Sequence, residues 1–276
     1  MRAGLIQITA SDDPAANLPE TRALIAKAAG EGATFILTPE VTNCVSTSRK
    51  RQIEVLQTQA HDITLAALRE DARALGVWIL IGSLALKTDD PDGRFANRSF
   101  LITPDGAIAA CYDKMHMFDV QISDTESYRE SAGYRPGEQA VLAKAPFGSV
   151  GMTICYDMRF PQLYRALAQR GAQILTVPSA FSPVTGAAHW ETLLRARAIE
   201  TGCFVLAPAQ CGTHPASAGT QRETYGHSLA ISPWGEVLAD GGTEPVVTLL
   251  DFDVAEVEIA RNRIPSLTHD RIFTGL

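Results

Sequence analysis

The chain has 276 residues, 46% of them hydrophobic, and a formal net charge of −7. That apolar content supplies a large core and excludes disorder, and the acidic balance argues against nucleic acid or an anionic membrane as the main partner. No apolar run approaches the roughly 18–20 residues of a membrane span, MRAGLIQITASDDP turns acidic too early for a secretory signal, and the cysteines at 44, 111, 155, 203 and 211 include no CxxC pair, so a cytoplasmic protein without a disulfide framework is expected.

In chain order, AGLIQIT reads as a strand. NLPETRALIAKAAGEGA follows with helical spacing at Leu18, Leu24, Ile25 and Ala28 and a glycine exit. TFILTPE is a β-rich run that places Glu40 at a strand's C-terminal mouth. Residues 58–75 carry a helical pattern, and VWILIGSLAL is another buried strand. Two hairpins follow, RSFLITPDGAIAACYD turning at Pro-Asp-Gly and AVLAKAPFGSVGMTICYD turning at Pro146–Gly148. Each ends in Cys-Tyr-Asp, at 111–113 and 155–157, the one hint of an internal repeat.

After Cys155, RFPQLYRALAQRGAQILTVPSAF reads as a helix starting near Arg159 and then a buried strand. HWETLLRARAIETG is a helix with Trp190, Leu193, Leu194 and Ala198 on one face and a surface pair of Glu191 and Arg195. CFVLAPAQ is a strand, residues 212–224 a polar loop, YGHSLAISPWGEVLA a hairpin, and VVTLLDFD a strand leading into a final helix. No linker or composition break divides the chain, so a single domain over 1–276 is expected. Strands alternate with helices in some places and pair as hairpins in others, which suggests a mixed sheet or two packed sheets with helices outside.

The candidate chemistry centres on Cys155. A lone strand-terminal cysteine is commonly a small core residue. A helix starting near Arg159 would instead favour a thiolate there, and the Tyr156 amide would face a developing oxyanion. A cysteine nucleophile needs a base. None of the histidines, at 61, 116, 189, 214, 227 and 269, has metal-ligand spacing such as HxxxH. His116, just past Lys114, is the best histidine base, but a structural role suits it better. The other option is a carboxylate with a lysine: Glu40 among Ile36, Leu37 and Val41, and Lys114 in YDKMHMFD. Nothing in periodicity joins Glu40, Lys114 and Cys155.

Taken together, TPE with Glu40, YDKMHMFD with Lys114 and ICYDMRFP with Cys155 resemble the nitrilase superfamily of carbon–nitrogen hydrolases, over essentially the whole chain. The resemblance implies a Glu–Lys–Cys triad of Glu40, Lys114 and Cys155, with a second glutamate, Glu130 in YRESAGYRPG, holding Lys114 and positioning substrate. It implies an α/β fold, a four-layer α-β-β-α sandwich of two mixed sheets. It also implies a homodimer or higher homo-oligomer, built through the helix around 189–201 and the segment after 159. The implied reaction is acyl transfer from a small-molecule amide through a cysteine thioester, with no metal or organic cofactor.

The segments SAFSPVTGAAHWETLLRARAIETGCFVLAPAQCG and YGHSLAISPWGEV resemble Nit-type amidases, the deaminated-glutathione amidase branch more than the ω-amidase that hydrolyses α-ketoglutaramate. N-carbamoyl amide hydrolysis stands behind these, and a non-catalytic binding protein on the same fold is the rival of another class. Aliphatic nitrilases match less well, because Tyr156-Asp157 stands where they typically carry Trp-Glu. For substrate binding, Arg159 is placed either to grip a carboxylate bidentately or to pair with a local aspartate. Thr185 in SPVTG is a further pocket candidate beside Tyr156, and Arg197 is structural or interfacial. GTHPASAGTQRETYGH looks like an insertion and leaves the exact substrate open.

Overall fold

A computed structural model describes residues 1–122 and 127–275. The chain opens with β1 (Arg2–Gln7), α1 (Pro14–Gly30) and β2 (Phe35–Leu37). Then come α2 (Arg49–Val55), α3 (Ile63–Leu75), β3 (Trp78–Leu86) and the hairpin arms β4 (Ala96–Ile102) and β5 (Ile108–Asp113). A small ribbon, β6 (Asp119–Gln121) and β7 (Ser127–Arg129), precedes the second hairpin, β8 (Val141–Ala145) and β9 (Gly148–Met152). Next are α4 (Pro161–Gln169), β10 (Ile174–Thr176), α5 (Pro183–Thr201) and β11 (Phe204–Ala207). A second ribbon, β12 (Cys211–Thr213) and β13 (Glu223–Tyr225), leads to β14 (Leu229–Ile231), β15 (Val237–Asp240), β16 (Val246–Asp251) and α6 (Ala255–Arg263).

The long-range pairings build two six-stranded mixed sheets, ordered β16-β1-β2-β3-β4-β5 and β15-β14-β11-β10-β9-β8. Each has a parallel trio at its centre, β1-β2-β3 in one and β9-β10-β11 in the other. One antiparallel strand flanks each trio on one side and two on the other. The two halves therefore share a topology in which β9 corresponds to β1. The Cys-Tyr-Asp copies do not follow it, since 111–113 lie in β5 and 155–157 lie just past β9. They meet instead, through a hydrogen bond from the Tyr112 hydroxyl to Asp157.

Side-chain alternation fixes the layers. Phe35 and Leu37 join Leu5, Leu80, Val150 and Met152 in the core between the sheets, while Ile36, Ile6 and Ile79 point the other way, to Ile25 and Leu68 of α1 and α3. Helices α4 and α5 cover the opposite sheet through Leu163, Leu167, Trp190 and Leu194. This is the expected four-layer α-β-β-α sandwich.

Local details depart from the expected pattern for physical reasons. The buried face of α1 is Asn17, Thr21, Ile25 and Ala28 rather than one containing Leu18 and Leu24. Asn17 satisfies its amide on Ser11 and the Asn43 carbonyl, and Thr21 donates to the Asn17 carbonyl, so both are buried with partners. The helical pattern over 58–75 becomes a helix only at Ile63, where Asp62 caps it by accepting from the Leu65 amide at 2.8 Å. The helix expected from Arg159 starts at Pro161, and Cys155–Arg159 form a 3₁₀ turn instead. One close approach sets the site. A Cβ at Gly82 in β3 would lie 2.0 Å from the Thr38 carbonyl oxygen and 2.5 Å from that of Pro39. Only glycine lets the segment carrying Glu40 lie so close to β3.

Candidate active site

Functional side chains gather where strands of both sheets end. Glu40 follows β2, Lys114 follows β5, Glu130 follows β7, and Cys155 and Ala180 follow β9 and β10. Together they line a cavity of about 820 Å³. Cys155 sits at a left-handed φ of +48°, with its amide on the Pro178 carbonyl at 3.0 Å. A non-glycine residue held there is strained, and the hydrogen bonds around it must hold the turn in place.

Lys114 is the hub. Its Nζ, only 2% exposed with its side chain, donates to Glu40 Oε1 at 2.8 Å and to both Glu130 oxygens at 2.9 Å. Glu40 Oε1 also accepts from Asn97 Nδ2 at 2.9 Å, and its Oε2 accepts from the Ala180 amide at 2.9 Å. Glu130 Oε2 accepts from the Phe118 amide at 2.6 Å. Cys155 lines the same cavity, close enough to Glu40 and Lys114 for its thiol to feel both charges.

The electrostatics follow from burial and pairing. Burial alone would push the Glu40 carboxyl up, but the Lys114 ammonium, with Arg222, holds it below its ordinary value. Burial would pull Lys114 down, but Glu130 and Glu40 carry it well above the usual lysine range. Burial and the Glu40 charge push the Cys155 thiol up to about 12. The resting sulfur is therefore protonated, contrary to the thiolate expected from a helix N-terminus. The turn at Cys155 is a short 3₁₀ segment and the thiol is buried, so desolvation outweighs the backbone dipole.

Asp157 ties the Cys155 turn to the lysine segment. It is fully buried and accepts from the Ile154 amide at 2.9 Å, the Tyr112 hydroxyl at 2.6 Å and the His116 amide at 3.0 Å. His116 Nδ1 lies 2.7 Å from the same carboxylate and the ring stacks on Phe160. His116 therefore braces the scaffold and is not paired with the sulfur. One carboxylate fixes the residues flanking both Lys114 and Cys155.

The substrate-binding candidates divide. Thr185 lines the cavity, near the start of α5, where Ser182 caps the helix. Tyr156 and Arg159 are not among the lining residues. The Tyr156 ring packs edge-on against Phe118 and Phe160. Arg159 finds no local aspartate; its Nη2 is 3.2 Å from His189 Nδ1, and it stands 5.6 Å from the ring centre of Phe181, a lining residue. Arg197 is buried and donates through Nε to the Met158 carbonyl at 2.7 Å, supporting the Cys155 turn from α5. Trp190 and Leu194 are interior, with Trp190 Nε1 on the His227 carbonyl at 2.7 Å.

Sequence reasoning missed Asn97, Ala180, Asp157 and Arg222. It also left the 212–224 segment without a role. That segment contributes Thr220, Gln221 and Arg222 to the cavity wall. It is pinned at three places. Buried His214, held down to about 4 mainly by burial and so neutral, joins the Ala10 carbonyl at 2.7 Å to Thr224 Oγ1 at 2.8 Å. Asp12 accepts from the Ser217 amide and hydroxyl, each at 2.8 Å, and Thr47 Oγ1 donates to the Thr220 carbonyl at 2.8 Å.

Comparison with known proteins matches residues 2–262 to the family described as carbon–nitrogen hydrolase. The chain is 38% identical over 274 residues to the deaminated glutathione amidase of Yersinia enterocolitica, a match covering 99% of this chain and 93% of that protein. It is similar to the crystal structure of Saccharomyces cerevisiae Nit3, a member of branch 10 of the nitrilase superfamily, with a TM-score of 0.84, 26% identity, and coverage of 99% of this chain and 97% of that chain. It is also similar to a mutant amidase from Nesterenkonia sp. AN1 carrying acrylamide on its active-site cysteine, with a TM-score of 0.77, 26% identity, and coverage of 96% and 98%.

Proposed function

The chain belongs to the carbon–nitrogen hydrolase family, and from that premise we propose that Cys155, Glu40 and Lys114, backed by Glu130, carry its amidase chemistry on deaminated glutathione. The observation behind this reading is one carboxylate, Glu40, that is hydrogen-bonded to Lys114 and lines the same cavity as Cys155, whose thiol its charge raises. The substrate is taken from relatives such as the Yersinia amidase.

Glu40 takes the thiol proton as Cys155 Sγ attacks the amide carbonyl carbon. The oxyanion forms against Lys114 Nζ and the Tyr156 amide; losing one such donor costs about 10²–10³ in rate. Glu40 returns the proton to the amine nitrogen, the C–N bond breaks, and cysteinylglycine leaves a 2-oxoglutaryl thioester on Cys155. Water, deprotonated by Glu40, then attacks the thioester, and 2-oxoglutarate departs as the thiol is restored. Glu130 holds Lys114 in place, and Thr185 borders the bound substrate.

The same reading takes 1–276 as one carbon–nitrogen hydrolase domain. It assembles as a homodimer or higher homo-oligomer, which the exposed Val184 and Ile199 on α5 support. A cytoplasmic setting is supported by the cysteines, all unpaired. Among the described residues no helix is long and apolar enough to cross a membrane.

Side-by-side turnover of deaminated glutathione and α-ketoglutaramate tests the substrate. A kcat/KM at least roughly tenfold higher for the former is expected, since its dipeptide half adds contacts to the transition state. Equal or reversed preference would overturn the substrate while leaving an amidase. No turnover of either would overturn both.

A further inference from the structure

Arg222 stands on the cavity wall between β12 and β13. Its Nη2 donates to the Ala180 carbonyl, and the Ala180 amide donates to Glu40, so one residue separates guanidinium from carboxylate. Its Nε is buried without a hydrogen-bond partner, and among the described residues no ion pair includes it. A guanidinium has five N–H donors and no acceptor. Leaving a buried donor unmet costs free energy that a ligand oxygen removes.

Arg49, another arginine on the cavity wall, is occupied. It spans the Gly133 and Gly93 carbonyls and lies 3.7 Å over the Phe95 ring. Arg159 faces His189. The segment bearing Arg222 is pinned by His214, Ser217 and Thr220, which gives the cation a fixed place before any ligand arrives.

We propose that Arg222 is a specificity-determining residue that binds the α-keto carboxylate on the acyl half of the substrate. This rests on the substrate reading above. In deaminated glutathione that carboxylate is a short three-carbon spacer from the scissile carbonyl. The glycine carboxylate is a whole dipeptide away on the leaving side. A cation one residue from Glu40 fits the nearer group. The insertion-like segment thus serves to carry the anion anchor.

The test compares wild type, Arg222→Gln and Arg222→Lys on three amides. These are deaminated glutathione, its 4-oxopentanoyl analogue with methyl in place of the α-keto carboxylate, and deaminated glutathione with the glycine carboxylate amidated. Arg222→Gln is expected to lower kcat/KM roughly 10- to 100-fold for the first and third, while the methyl analogue changes by less than about threefold. Arg222→Lys keeps the charge without the fork and falls between, and serves alone if the glutamine variant does not fold.

Equal losses on all three amides, or a loss that needs the glycine carboxylate, would overturn the assignment. So would a wild type that accepts the methyl analogue as readily as deaminated glutathione, a result that leaves the amidase intact. If wild type turns over none of them, the substrate reading fails. Calorimetry of 2-oxoglutarate binding to wild type and Arg222→Gln then decides. Binding weakened roughly tenfold or more by the substitution supports the anchor, and unchanged or absent binding overturns it.

Discussion

Cys155→Ala is expected to lose amide turnover by about 10⁴-fold or more while keeping the fold, as read by product release and thermal melting. In the proposed mechanism the sulfur is the atom that forms the thioester, and none of the remaining described groups in the cavity replaces it. Cys44 also lines the cavity, but burial pushes its thiol up to about 12, and among the described residues no carboxylate is hydrogen-bonded to it. The fold survives because the turn is held by Asp157 and by the Cys155 amide on Pro178, not by the sulfur. Cys155→Gly sharpens the point. At φ +48° glycine is unstrained, so this variant is expected to be inactive yet at least as stable as wild type. Retention of more than about a tenth of the activity in either variant would remove Cys155 from the chemistry.

Lys114→Met is expected to lose both activity and stability. Removing the ammonium leaves Glu40 and Glu130 facing one cavity with no cation between them. Breaking a buried ion pair by deleting one partner costs about 3–5 kcal/mol, and the oxyanion donor is lost as well, worth about 10²–10³ in rate. The pH dependence carries a sign. In wild type the depressed Glu40 carboxyl stabilises the fold above the ordinary carboxylate range, and this is lost as pH falls through its folded value. The raised Lys114 stabilises below the ordinary lysine range, and this is lost only as pH rises through its folded value. Between these limits wild-type stability from the pair is flat. Without Lys114 burial dominates at the Glu40 carboxyl and raises it, so the variant's deficit should shrink on acidification. Urea unfolding at about pH 5 and about pH 8 checks this. An equal deficit at both would mean the carboxylates had found other partners.

The sequence shows Glu40, Lys114 and Cys155 unevenly. Glu40 and Cys155 follow apolar β-rich runs, so strand patterning alone places them at strand ends. Bringing Glu40 to Lys114 spans 74 positions, which no local period encodes; the family motifs joined them where periodicity did not. Local readings share one limit. Arg159 drew attention as a carboxylate grip or a structural pair because it is near Cys155 in the chain, and the structure places it against His189. Arg222, 67 positions away in sequence by the numbering, arrives through the docking of a polar segment by His214, Asp12 and Thr47. The buried face of α1 likewise depended on Asn17 finding partners on Ser11 and Asn43. Asp157 was visible in both the ICYD motif and the doubled Cys-Tyr-Asp, but its partners are three residues, Ile154 beside it and Tyr112 and His116 from the lysine segment.

The most direct test is a single-turnover reaction with deaminated glutathione, acid-quenched across the time course and followed by peptide mass spectrometry. A 2-oxoglutaryl group that appears on the peptide carrying Cys155, with cysteinylglycine release, and then decays as 2-oxoglutarate forms is the expected result. Complete turnover with Cys155 unmodified at every time point, or the acyl group on another residue, would contradict it.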